Sequence, residues 1–319
     1  AYSSAAVGTY SGVVVTYTLA NGGSGNTAGL ASNYSLAAGA ATGTITGRPL
    51  TVTDVAVTSK AYDGTTSAAI TGTLVGVLNS DAVTLVGTGT FASKNVGANQ
   101  VVTSTSTLSG AAAGNYTLTQ PTGLTGTITA KALSIGAPTI ASKMYDGTTA
   151  AGAVTVGALS GLVDPEILTV TGTAAAYTSA AVGTYDNVAV TYALADSGSG
   201  NTAGLASNYS LAAGSASGTI TGRPLTVTGV AVTSKAYDGT TSAAITGTLS
   251  GVMNSDDVTL VGTGTFASKN VGSGQVVTST STLSGAAAGN YMLTQPTGLT
   301  GTITAKALSI GAPTIASKV

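Results

Sequence analysis

The sequence predicts an all-β protein, built as a tandem array of small antiparallel β modules that form an extended rod. Three observations lead there. Apolar residues and Thr alternate with a period of two along most of the chain, turn-forming residues interrupt that alternation at short intervals, and long stretches of the chain recur almost unchanged.

The alternation is plain in Leu50-Thr51-Val52-Thr53, Val83-Thr84-Leu85-Val86, Gly126-Thr127-Ile128-Thr129 and Val190-Thr191-Tyr192. A strand with one buried face reads this way, because successive side chains point to opposite sides, and β-branched residues suit its pleated surface. Gly, Asn, Asp and Ser close each run. About six strands are expected per module, near 50–58, 67–74, 82–91, 100–109, 115–120 and 124–130 in the best-defined copy. Ala111-Ala112-Ala113 is the one place for a short helical turn, and no segment sustains a 3.6-residue period.

The recurrence sets the domain organisation. Residues 48–130 return as 223–305 with seven differences, among them Asp54/Gly229, Val75/Ser250 and Thr117/Met292. A more distant copy lies between them. Tyr62-Asp63-Gly64, Tyr145-Asp146-Gly147 and Tyr237-Asp238-Gly239 mark the three, each followed by a Val-Gly step, an Asn-Tyr pair and a Gly-Thr-Ile-Thr strand. Cutting after that strand gives a short-type module at 48–130, a long-type module at 131–222 and a second short-type module at 223–305. Residues 1–47 match the C-terminal part of a long-type module, and 306–319 match the first strand of another. A chain that opens and stops inside modules is expected to be a window on a longer array. Links such as Thr46-Gly47-Arg48-Pro49 are too short to swivel freely, so the array is expected to be stiff.

Composition narrows the function classes. Charged residues make up 7% of the chain, against about 25% in an ordinary domain. Hydrophobic residues make up 43% and the mean hydropathy is +0.39, too apolar for a disordered segment. The net charge of −1 offers no basic face for phosphates, so nucleic acid is not an expected partner. With no Cys and no His, thiol and imidazole catalysis, zinc or haem ligation by these residues, and disulfide staples are all excluded. No catalytic residue, cofactor or metal is expected, and no run is apolar enough to cross a bilayer as a helix.

Two motifs stand out. In Lys-x-Tyr-Asp-Gly-Thr-Thr (Lys60, Lys143 and Lys235 onward) the Asp-Gly pair favours a turn needing positive φ. The Asp side chain can then bond the backbone two residues on, and Tyr62, Tyr145 and Tyr237 bury their rings beneath the turn. A ligand contact by Tyr and Asp is the functional alternative. The Asn-Tyr pairs, Asn33-Tyr34, Asn115-Tyr116, Asn208-Tyr209 and Asn290-Tyr291, are formal glycosylation sequons in three copies, but Met292 removes the hydroxyl residue from the fourth. A turn role fits all four. Asp81, Asp164, Asp256 and Asp257 share a mid-module loop, sparsely for calcium, which wants six to eight oxygen ligands. Thr103-Ser104-Thr105-Ser106-Thr107 suits an exposed strand face as well as a sugar- or ice-binding one. An isopeptide cross-link from Lys60 or its equivalents would lack an assisting carboxylate in most modules, since Glu166 is the single Glu.

Lys60-Ala61-Tyr62-Asp63-Gly64-Thr65-Thr66, Phe91-Ala92-Ser93-Lys94-Asn95-Val96-Gly97 and Gly114-Asn115-Tyr116-Thr117-Leu118, in that order before a closing Gly-Thr-Ile-Thr, resemble the YDG/MBG repeat modules of large, filamentous-haemagglutinin-like bacterial surface adhesins. The long-type module departs from this pattern, with Ala176-Tyr177-Thr178-Ser179-Ala180-Ala181-Val182-Gly183 in the middle position. The resemblance covers nearly the whole chain and implies a β-grasp-like fold on an extracellular, exported, repetitive protein without catalytic residues. The expected function is a stalk or filament body at the bacterial cell surface, supporting adhesion to host, cell or abiotic surfaces, or self-association into filaments or lateral bundles. Modules that each bind a carbohydrate or ice are the alternative.

Overall fold

A computed structural model describes residues 1–317. The chain is all-β: helical content among the described residues is confined to three-residue 3₁₀ turns, such as Ala113–Asn115 and Ala206–Asn208. No helix among them is long and apolar enough to cross a membrane. Two compact units can be distinguished. The first comprises Ala1–Ala132 with Leu162–Glu166 and Gly198–Ser210; the second comprises Leu133–Gly161, Ile167–Ser197 and the chain from Leu211 on.

In the first unit, a seven-stranded sheet runs in the order Tyr116–Leu118, Arg48–Val57, Ser67–Val75, Thr88–Phe91, Gly97–Ser104, Leu124–Thr129, Lys60–Ala61. Most pairs are antiparallel. The two outer ones are parallel: Tyr116 faces Arg48, and Ile128 faces Lys60. These two parallel pairs depart from the antiparallel expectation, because the period of two is the same in either orientation. Thr84–Val86 and Thr107–Ser109 form a separate two-stranded ribbon.

The first strand shows how sequence sets the pleat. Leu50 and Val52 face inward, then Val55 and Val57, so the alternation slips by one residue. Asp54 is that extra residue: it lies at φ +52°, and the ladder to Ser67–Val75 shifts between Thr53 and Ala56. This is a β-bulge. In the sister module the same position is Gly229 at φ +59°, so the Asp/Gly difference is an exchange between two residues that tolerate left-handed backbone.

Two expected strands are divided. The run 82–91 breaks at Gly87, where a Cβ would lie 1.7 Å from the Ile70 carbonyl oxygen. The run 100–109 breaks at Thr105-Ser106, where the buried Ser106 hydroxyl donates to Thr88 O. The helical turn falls at Ala113–Asn115 rather than 111–113, leading directly into Tyr116. The core of this unit is Leu50, Tyr62, Ile70, Phe91, Val102 and Ile128, all nearly inaccessible. Gly126 has no room for a side chain, because a Cβ there would lie 2.6 Å from Val57 Cγ1 and 2.8 Å from Phe91 Cε1.

The second unit repeats the seven-stranded arrangement between Arg223 and Thr304 and adds a four-stranded sheet, ordered Lys143–Met144, Gly214–Thr221, Gly183–Asp196, Leu168–Ala174. Its larger apolar cluster joins Ile140, Tyr145, Tyr177, Val190 and Ile220 of the long-type module to Leu225 and Tyr291 of the following short-type one. Within this unit the two modules therefore share one core.

Candidate functional site

Each Lys-x-Tyr-Asp-Gly-Thr-Thr segment folds into the same small knot. Asp63 Oδ1 accepts from Thr65 N at 2.9 Å, from Thr65 Oγ1 at 2.8 Å and from Lys60 Nζ at 2.8 Å, while Gly64 takes φ +78°. Asp146 and Asp238 bond Thr148 and Thr240 in the same way, with Gly147 at φ +75° and Gly239 at φ +79°. The Lys143 ammonium and the Thr148 donors hold the Asp146 carboxyl at about 2, well below its ordinary value. The lysine also donates to the carbonyl of the first Thr (Thr65, Thr148, Thr240), tying off the loop.

The knot aims its tyrosine at the next module. Tyr62 is 1% exposed and its hydroxyl donates to Glu166 Oε1 at 2.5 Å; Tyr209 donates to the other carboxylate oxygen at 2.7 Å. The two rings meet edge to face with centroids 5.3 Å apart, a favoured aromatic geometry. Glu166 is 7% exposed and its carboxylate also accepts from Lys94 at 3.2 Å. Burial alone would raise the pKa of Glu166, but the Tyr62, Tyr209 and Lys94 donors outweigh it and hold it below the usual value.

The second unit contains the same device. Tyr145 and Tyr291 both donate to Asp256 Oδ2, at 2.8 and 2.6 Å, with ring centroids 5.4 Å apart. Burial pushes the Tyr145 hydroxyl up to about 12, and Asp256 adds to the shift. In each module, moreover, the Asn-Tyr tyrosine accepts from a backbone N–H of the carboxylate loop: Leu78, Val163 and Met253 donate to Tyr116, Tyr209 and Tyr291.

Asparagines complete the clasp. Asn115 Oδ1 accepts from Val7 N, Asn208 Oδ1 from Val96 N and Asn290 Oδ1 from Val182 N, at 2.9–3.0 Å. The Asn115-Tyr116, Asn208-Tyr209 and Asn290-Tyr291 pairs thus grip the Val-Gly step of the preceding module with their Asn, and Tyr209 and Tyr291 share a carboxylate with that module's knot tyrosine. Because both roles lie in the side chains of Asn and Tyr, the third sequon position is free to vary, as it does at Met292.

The sequence-derived turn residues therefore separate into a loop set and a joint set. Asp63, Gly64, Asp146, Gly147, Asp238 and Gly239 shape the knots. Tyr62, Tyr145, Asn115, Asn208, Tyr209, Asn290 and Tyr291 bridge modules. Tyr116 donates to Asp81 at 2.6 Å, Tyr237 is half-buried, and Asn33 and Tyr34 are exposed. Sequence reasoning weighed Asp81 and Asp256 only as sparse calcium candidates and Glu166 only as a cross-linking aid; the structure places all three under tyrosines. Asp257 instead accepts from Ala286 N. A partial signal was available: a loop carboxylate lies 35 or 43 positions before each of these Asn-Tyr tyrosines, although Asp164 and Asp257 accompany Glu166 and Asp256 in the same loops. Among the described residues no group of three or more His, Cys, Asp or Glu side chains could hold a metal.

The joints come in two kinds. Where a short-type module precedes a long-type one, Lys94 meets the longer Glu166. Where a long-type module precedes a short-type one, Ala180 stands in place of Lys94 and the shorter Asp256 suffices. Carboxylate length and the presence of a cation vary together.

The family model described as the YDG domain matches residues 46–123, 129–217 and 221–298. No curated protein and no solved structure matches the chain.

Proposed function

This chain belongs to the YDG domain family, and from that premise we propose that its tandem modules are the stalk or filament body of an exported bacterial surface or matrix protein. The repeated joint carries the proposal. The side chains that recur from module to module, tyrosine, carboxylate and asparagine, are spent on holding one module to the next. In the second unit, the apolar core continues from module to module as well. Such an array supplies reach, and a nearly uncharged β surface puts little electrostatic repulsion between neighbouring copies. Adhesion or self-association at the cell surface is the outcome assigned to it, and no catalysis is assigned.

Small-angle scattering on chains carrying two, four and six modules tests this. A maximum dimension growing linearly with module number is expected; a dimension that levels off would refute a stalk.

A further inference from the structure

We propose that a cavity of about 460 Å³ in the long-type module is a binding site for an uncharged amphiphile, a short alkyl or aryl group on a hydroxylated head. The inference goes beyond the stalk proposal and does not rest on it. The cavity lies wholly inside the second unit, between the segment from Leu133 to Pro138 and the turn after Leu211. Ile135, Tyr192 and Ala213 also contribute to its wall. Its volume falls in the range of small-molecule sites, about 300–1,000 Å³, which are mostly apolar with a few polar groups.

The short-type modules fill the corresponding position with a polar side chain. Gln120, two residues after Leu118, accepts from Ser104 Oγ at 2.7 Å and donates to Ser106 O at 2.8 Å. Gln295 bonds Ser279 and Ser281 in the same way. In the long-type module, the residue two after Leu211 is Ala213. The serines are replaced as well. Val102 pairs with Leu124, four residues before Ile128, as Val188 pairs with Ala216, four residues before Ile220. Counted from these pairs, Val190 and Tyr192 stand where the short-type module has Ser104 and Ser106. A hydrogen-bonded polar plug has thus given way to small and apolar residues that line an open cavity.

The wall sets the class of ligand. None of the residues lining the cavity is charged, so an ionised group would lose water there without gaining a partner. Leu133 is buried, and Ile135, Leu211 and Tyr192 are half-buried, forming an apolar floor. Tyr192 contributes its ring, because its hydroxyl is sealed over Gly214, where a Cβ would lie 2.6 Å from it. At the rim Ser134 and Ser215 are exposed, and neither hydroxyl is engaged within the chain. Apolar floor and hydroxyl rim together match a molecule with an apolar body and an uncharged, hydroxylated head.

The test titrates the full chain with hexyl β-glucoside and follows the methyl resonances of Leu133, Ile135 and Leu211 by NMR. Saturable binding is expected, with a Kd of about 1 mM and the largest shifts at these three residues. Methyl β-glucoside keeps the head and lacks the chain; hexanoate keeps a chain of similar length and carries a charge. Each should bind at least about tenfold more weakly. Ile135→Ala should weaken hexyl β-glucoside about tenfold, because it removes part of the floor. Absence of saturation at about 10 mM, or shifts confined to another surface, would overturn the proposal. So would equal binding of methyl β-glucoside or of hexanoate. The ligand comparisons use the unaltered chain, so they decide the matter even if Ile135→Ala fails to fold.

Discussion

The hydroxyl of Tyr62 and the carboxylate of Glu166, 104 positions apart, meet at 2.5 Å inside the first unit. Tyr62 belongs to the turn knot of one module, and Glu166 to the mid-module loop of the next. A buried carboxylate is costly unless its oxygens are matched by donors. Here both oxygens are matched by tyrosines, one from each module. Neither module satisfies Glu166 alone, and this dependence is what joins them.

Tyr62→Phe keeps the ring and removes the donor, leaving Oε1 with only the half-exposed Lys94. The expected cost is about 1–3 kcal/mol of unfolding free energy, read from urea denaturation. Tyr237→Phe, at a half-buried position, should cost less than about 0.5 kcal/mol.

The contrast between these tyrosines explains what sequence could and could not reveal. Period-two alternation made the β class legible, and the slip from Leu50/Val52 to Val55/Val57 records the bulge at Asp54. The Asp-Gly pairs, with their left-handed glycines, are local chemistry and can be read locally. The partner of Tyr62 is not local. Nothing near Tyr62 encodes Glu166, and a loop carboxylate looks the same in sequence whether it is solvated or buried. The parallel pairing of Ile128 with Lys60 escaped for a related reason, since orientation is decided by the path of the chain.

Gly64 and Gly239 have nearly equal φ, +78° and +79°, so an Ala at either is strained alike. They differ in surroundings: a Cβ on Gly64 would lie 2.9 Å from Val163 Cγ1, whereas nothing lies within 4 Å of one on Gly239. Gly239→Ala should cost about 1–2 kcal/mol from backbone strain. Gly64→Ala should cost at least about 1 kcal/mol more, because a β-branched neighbour yields poorly. Thermal melts of the two variants supply the comparison.

Lys94 is a minor member of its joint. Its side chain is 46% exposed, so Lys94→Ala should cost no more than about 1 kcal/mol. That cost should shrink in 1 M salt. The Tyr62→Phe cost, arising from buried groups, should not. Denaturation at low and high salt separates the two.

Stability should show a plateau bounded on both sides by the joint and knot residues. Hydrogen bonds hold the Glu166 carboxyl below its ordinary value, and Asp146 is held at about 2. Such depressed groups contribute stability that is present above their unfolded pKa, about 4, and is lost as pH falls towards 2. Burial raises Tyr145 and Tyr209 to about 12, with Asp256 and Glu166 adding to the shift. Their contribution is complete below the unfolded value of about 10 and is lost as pH rises through 12. Melting temperature should therefore be nearly flat from about pH 5 to 9 and fall on either side, and Glu166→Gln should lessen the acid-side loss.

The most direct test of the joint is a double-mutant cycle on Tyr62 and Glu166, using Tyr62→Phe, Glu166→Met (which removes the acceptor at similar length) and the pair, each unfolded in urea. Residues of successive modules that share one buried hydrogen bond should show a coupling energy of about 1 kcal/mol or more. Costs that simply add, with coupling within about 0.3 kcal/mol of zero, would contradict the tyrosine–carboxylate contact as the element that binds one module to the next.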